Sequence, residues 1–209
     1  MKQRIVAIMA HQRSGTHLLG SSMATHPEIK YTGEIFRQSV PRHRGEVVAR
    51  IERVRGGGFP VICLDTKYNQ ISAAVEAYLA QPEVKVIHLV RRNVLRLYFS
   101  GELHTWRAQH RQASQLPVFA FDESRFVRLR DSIERHIQRI GHLADLELYY
   151  EDLTGDQDIS ELPEWAARQI CLLCGVDYQP MAVQIRKEAP VDIGTHLAGV
   201  PSRIARYCR

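Results

Sequence analysis

Three short apolar runs, each followed by a polar turn and a helical stretch, place the tightest limit on how this chain can fold. The first is residues 4–9 (RIVAIM), ahead of a turn at Gly15 and a helical pattern over 16–25. The second, 60–64 (PVICL), leads through a polar turn, DTKYNQ, into a helical stretch at 71–79. The third, 84–90 (VKVIHLV), is the strongest buried-strand candidate, and a helix starts near Asn93. Strands alternating with helices build a parallel sheet covered on both faces. Ligands of such sheets sit beyond the carboxyl ends of the strands. The expected fold class is α/β, with a site near residues 11–17, 65–70 and 91–93.

The later chain predicts an amphipathic helix over 123–143, a short strand at 146–150 and a helix over 162–174 that stops at Gly175. There is no internal repeat, and Gly56 to Gly58 reads as a loop, so one domain spanning 1–209 is expected. A chain of 209 residues buries a core without disulfides or metal. With 44% hydrophobic and 24% charged residues and no low-complexity tract, disordered, collagen-like and coiled-coil readings fail. No apolar run approaches the roughly 18 to 20 residues of a membrane span, and the opening MKQRIVAIMAHQRSG turns polar too early for a signal peptide. No membrane span and a cytoplasmic location are expected. Cys171 and Cys174 form a CxxC inside an apolar helical run, which reads as core packing, and no partner pair completes a zinc site. Residues 105–120 are polar and aperiodic, a surface connection or a flap over the site.

The formal charge of +5 suits an anionic ligand without by itself establishing nucleic-acid binding. Six arginines fall between Arg37 and Arg55, interleaved with valines and Ile51 at helical spacing, the pattern of a solvated helix face. A nucleotide-sensing or RNA-binding module using them is the non-enzymatic alternative, and its RNA binding would depend steeply on salt.

The loop after the first run reads RSGTH. Gly15 permits close approach, Arg13 brings a permanent charge, Ser14 and Thr16 bring hydroxyls, and the helix start points N–H groups at an anion. The triphosphate loop GxxxxGK[ST] is absent, which disfavours an ordinary ATPase or kinase and leaves a kinase with a degenerate loop as a rival. Taken alone, RSGTH suits a plain strand-to-helix turn equally well.

The longer stretch RSGTHLLGSSMATHPEIKYTGEIF resembles the 5′-phosphosulfate segment of the sulfotransferases that use 3′-phosphoadenosine 5′-phosphosulfate (PAPS), in which [RK]SGT follows the first strand. It looks most like the bacterial carbohydrate sulfotransferases of the Nod-factor type, with GTH…HP…GE, and more distantly like the tyrosylprotein sulfotransferases. KVIHLVRRNVLRLYFS resembles the family's 3′-phosphate motif, which identifies Arg92 and Ser100; the adjacent Arg91 can take the role of Arg92. LYYEDLTGD, followed by a helix ending LCG, resembles the YEDL segment, where Asp152 or Thr154 is read as a helix cap. The resemblance covers roughly residues 1–36, 60–106 and 145–176.

It implies a P-loop-like parallel sheet flanked by helices in a single domain. It further implies PAPS as donor and in-line sulfuryl transfer to a hydroxyl acceptor, with a carbohydrate favoured, and neither metal nor nucleic acid. The family's KTH position reads Lys67-Tyr68-Asn69, without histidine, so the Glu34 of GE is expected as general base. Lys67, assisted by Arg13, is expected to neutralise the leaving oxygen. Arg13, Ser14, Gly15, Thr16, His17, Arg92 and Ser100 are expected to hold the donor. Plainer readings remain beside these: Glu34 as an exposed turn residue, Lys67 as a surface lysine, and Arg92 paired with a carboxylate. The tail offers only Lys187 and Arg203 as candidate donor contacts.

Overall fold

The computed structural model describes residues 3–110, 115–155, 159–185 and 193–204. Its elements are β1 (Arg4–Ala10), α1 (Thr16–Met23), β2 (Ile29–Glu34), α2 (Arg44–Val54), β3 (Val61–Lys67), α3 (Ala73–Leu79), β4 (Val84–Val90) and α4 (Val94–Gln109). After these come β5 (Phe119–Ala120), α5 (Glu123–Ile140), β6 (Leu146–Tyr149), α6 (Tyr150–Thr154), α7 (Glu164–Cys174), α8 (Ile193–His196) and β7 (Leu197–Ala198). Five strands form a parallel sheet in the order β2-β3-β1-β4-β6, the flanked parallel sheet that the alternating runs imply.

Burial follows from the order. In the central strand β1, residues 5–10 are all buried, because helices cover both faces. Val6 and Ile8 pack with Leu18, Leu19 and Met23 of α1 and with Ala166, Ile170 and Cys174 of α7. Ile5, Ala7 and Met9 face the opposite layer, with Val47 and Ile51 of α2, Val75 of α3 and Ile133 and Ile140 of α5. The arginine-rich segment thus lays two apolar residues inward and leaves Arg44 and Arg53 exposed, as a solvated helix face. Cys63, Cys171 and Cys174 are free and buried, and among the described residues no three His, Cys, Asp or Glu side chains gather as a metal site. Gly175, at φ 65°, ends α7. No described helix is long and apolar enough to cross a membrane.

Two segments differ from the sequence reading. The stretch around Glu34, read as a turn after the first helix, is the edge strand β2. Only Ile29 in it is fully buried, so it carries little of the apolar alternation that marks a strand. The supposed polar turn DTKYNQ begins inside β3: Asp65, Thr66 and Lys67 are strand residues, all buried, and only 68–70 form a 3₁₀ turn. The connection after α4 is not wholly irregular either, since β5 pairs in parallel with β7. This small sheet closes a third apolar cluster of Tyr98, Phe99, Phe126 and Leu197 over α4.

Ile8 is fully buried at the centre of the main sheet, with side chains on every side. Ile8→Ala is expected to lower the unfolding free energy by about 2–5 kcal/mol, read from urea denaturation midpoints. A loss below about 1 kcal/mol would contradict the packing described.

Candidate functional site

The carboxyl ends of β1, β3 and β4 gather the polar residues that the sequence singles out. After β1 the chain turns through Arg13 and Gly15, both in the left-handed region, at φ 66° and 93°. Gly15 is the N-cap of α1, and a Cβ there would overlap the Tyr150 ring, so both conformation and space demand glycine. Positive φ within such a turn aims successive N–H groups to one side, the geometry of an anion cradle. Ser14 is buried, and its Oγ has no hydrogen-bond partner among the described residues. A buried hydroxyl without a partner is costly, and an anion seated in the turn would satisfy it.

Lys67 reaches this loop from β3. It is 6% exposed, which excludes a surface lysine. Its Nζ donates to Thr16 Oγ1 and pairs with Asp65 Oδ2 at 2.8 Å. Tyr31 donates its hydroxyl to the same Asp65 oxygen at 3.1 Å, and burial with the adjacent carboxylate pushes that phenol far above its ordinary range. Asp65 and Gln70 fall within the expected 65–70 segment but were given no role, because DTKYNQ read as a turn, and Tyr31 was not singled out because β2 carries little strand alternation. The available signal was the i, i+2 spacing of Asp65 and Lys67, which puts both side chains on one face of a strand.

Glu34 ends β2 in register with Asp65, after an irregularity in the strand pairing at Gly33, where φ is 72°. It is partly buried, and its Oε1 accepts a hydrogen bond from Gln70 Nε2, whose Oε1 in turn accepts from the Lys67 N–H at 3.0 Å. Glu34 is therefore a held carboxylate on the same rim as Lys67.

The two motif segments meet at Arg13, whose Nε donates to Ser100 Oγ across 3.2 Å. The adjacent arginines diverge. Arg91 turns inward, donating from Nη1 to the Arg13 carbonyl at 2.9 Å and lying 4.7 Å from the Tyr150 ring centroid, with its Nε buried and unpartnered among the described residues. Burial lowers its pKa, yet a guanidinium stays charged. Arg92 turns outward: Nη2 pairs with Asp152 and the guanidinium lies 4.5 Å from the Tyr149 ring centroid. The carboxylate pairing weighed for Arg92 is thus the observed state. Asp152 spends itself on this pair rather than on a helix cap, and Thr154 bonds back to the Tyr150 carbonyl. Glu151 instead accepts the N–H groups of Arg92 and Asn93, both at 3.0 Å, ahead of α4.

The remaining candidates make no hydrogen bond to the loop at 13–16 among the described residues. His17 is exposed, its ring edge-on to Tyr31 at 6.2 Å. Arg203 is held by both oxygens of Glu123, at 2.8 and 2.7 Å. Lys187 falls outside the described residues.

Asp65→Asn would leave the Lys67 ammonium buried without its counter-charge. A loss of roughly 3–5 kcal/mol is expected, with much of it regained in the double variant Asp65→Asn/Lys67→Met. Equal stability of wild type and Asp65→Asn in urea denaturation would contradict the buried pair.

No protein-family model and no curated protein matches the sequence. Among solved structures, the chain is similar to a sulfotransferase from Alicyclobacillus acidocaldarius, with a TM-score of 0.52 at 14% identity, covering 92% of this chain and 86% of that one. It is also similar to the mouse sulfotransferase SULT7A1 complexed with PAP, at a TM-score of 0.50 and 15% identity, covering 86% of this chain and 61% of that one. The fold is that of the sulfotransferases, a P-loop-like parallel sheet flanked by helices.

Proposed function

From this shared fold and the loop it carries, we propose that the chain is a sulfotransferase that moves a sulfuryl group from PAPS to a hydroxyl acceptor, with a carbohydrate as the favoured acceptor class. The observation that carries the reading is the contact between Arg13 and Ser100, which joins the two separated segments resembling the family's phosphate motifs. The unpartnered Ser14 Oγ and Arg91 Nε, and the positive φ at residues 13 and 15, fit an anionic donor. PAPS supplies the sulfuryl group and a bisphosphate leaving group.

Each side chain then has a task. Ser14, Gly15 and Thr16 bind the 5′ end of the donor, with Arg13. Lys67, already directed at Thr16, neutralises charge on the departing phosphate oxygen. Glu34, oriented by Gln70, takes the acceptor proton. Ser100 and an arginine bind the 3′-phosphate. Arg91 is the better placed of the two arginines, since Arg92 is engaged by Asp152 and would have to leave it. His17 contributes at most at the rim. Holding donor and acceptor in line supplies most of the rate, as in phosphoryl transfer.

Thermal unfolding with 3′-phosphoadenosine 5′-phosphate, ATP and RNA tests the reading. The bisphosphate at 100 times its dissociation constant is expected to stabilise the fold by about 2.7 kcal/mol. Stabilisation by ATP alone would favour a kinase with a degenerate loop, and stabilisation by RNA alone a nucleic-acid module. For the base, Glu34→Gln is expected to keep bisphosphate binding while turnover falls roughly 100-fold or more. Unchanged turnover would remove Glu34 from that role. Arg91→Ala is expected to weaken the bisphosphate more than Arg92→Ala does, and the opposite order would return the 3′-phosphate to Arg92.

A further inference from the structure

His11 belongs to neither motif, yet it stands on the same rim. The register pairs Ala10 of β1 with Lys67 of β3, so His11 leaves the sheet beside the end of β3. Its ring is edge-on to Tyr68, with centroids 6.0 Å apart. His11 Nδ1 lies 2.7 Å from the main-chain carbonyl of Gln12. A carbonyl only accepts, so the proton of the neutral ring sits on Nδ1 and the lone pair on Nε2. Nε2 has no hydrogen-bond partner among the described residues.

The wall behind the ring is fixed. Tyr68 stacks on His136 of α5 at 5.3 Å, and its hydroxyl lies 2.6 Å from His88 Nε2. His88, fully buried in β4, places Nδ1 3.2 Å from Glu147 Oε2 of β6, and Tyr149 donates to the other oxygen of Glu147 at 2.5 Å. Side chains from α5, β4 and β6 thus restrain Tyr68 and, through it, the His11 ring.

We propose that His11 is a catalytic residue of the transfer: on the β1 side of Lys67, Nε2 takes the proton of an acceptor hydroxyl, as Glu34 does from the β2 side. In this step the acceptor O–H bond breaks and its proton passes to Nε2. The acceptor oxygen bonds to sulfur as the bridging sulfur–oxygen bond of the donor breaks, and the departing oxygen is met by Lys67. The imidazolium then releases its proton to water. The proposal rests on the sulfuryl-transfer reading but not on Glu34 as sole base. Burial lowers the pKa of His11, and nearby His136 and Lys67 push the same way against the Gln12 carbonyl, so the ring is neutral near pH 7. The groups around it are Lys67 and Tyr68 at the end of β3, His136 on α5 and, behind Tyr68, His88 with Glu147.

His11→Gln keeps a polar side chain but cannot carry the proton. Glu34 is expected to sustain most of the turnover of this single variant, whereas in the Glu34→Gln background the same change is expected to remove the residual turnover, with bisphosphate binding unchanged in both. The residual turnover of Glu34→Gln is expected to decline as pH falls through the His11 pKa, and to vanish in the double variant. Nitrogen-15 shifts of the wild-type protein give a readout that needs no turnover, expected to show a neutral ring protonated on Nδ1 at pH 7. Equal turnover in Glu34→Gln and the double variant, a ring charged at pH 7, or a proton on Nε2 would each overturn the assignment. A wild type that the bisphosphate does not stabilise would instead remove the reading beneath it.

Discussion

A buried ammonium fixes the arrangement of this protein's polar rim. Lys67 sits at the carboxyl edge of the sheet with almost no contact with water, so it needs a full counter-charge close by. Asp65 supplies it two residues back on the same strand face, and Tyr31 and Thr16 complete the shell. Three elements, β2, β3 and α1, are thereby held to one point. Buried ion pairs contribute little net stability compared with apolar residues of the same size. Keeping one where hydrophobic packing would serve as well makes sense if the charge itself has work to do.

The neighbouring arginines illustrate how a strand end divides labour. Leaving β4, the chain must turn into α4, and successive side chains point to opposite sides of that turn. Arg91 folds over Tyr150 toward the loop and Arg92 over Tyr149 toward Asp152. Each guanidinium rests on an aromatic face, which stabilises it while leaving N–H groups directed outward. One arginine faces the cradle, and the other ties α6 to the start of α4.

Most of the architecture was legible because buried parallel strands are written as continuous apolar runs. RIVAIM and VKVIHLV became β1 and β4 within a residue of their expected bounds. The losses have one cause: polar residues inside strands. β2 is an edge strand with a single fully buried side chain, and β3 ends in Asp65 and Lys67, whose mutual neutralisation permits burial that a sequence window scores as solvent exposure. The turn at 13–16 was readable from Gly15 after a strand, but its residue types alone did not separate an anion site from a plain strand-to-helix turn. Which arginine faces inward was not, because adjacent residues of one type differ only by the direction of the turn that carries them. His11 was passed over for a related reason, as its lone pair is set by a carbonyl contact that no spacing rule encodes.

The overlap that a Cβ at position 15 would make with the Tyr150 ring joins the first turn of the chain to a residue some 135 positions later. The cradle therefore has no complete wall until β6 and α6 have docked. Until they do, the turn between β1 and α1 lies uncovered on that side.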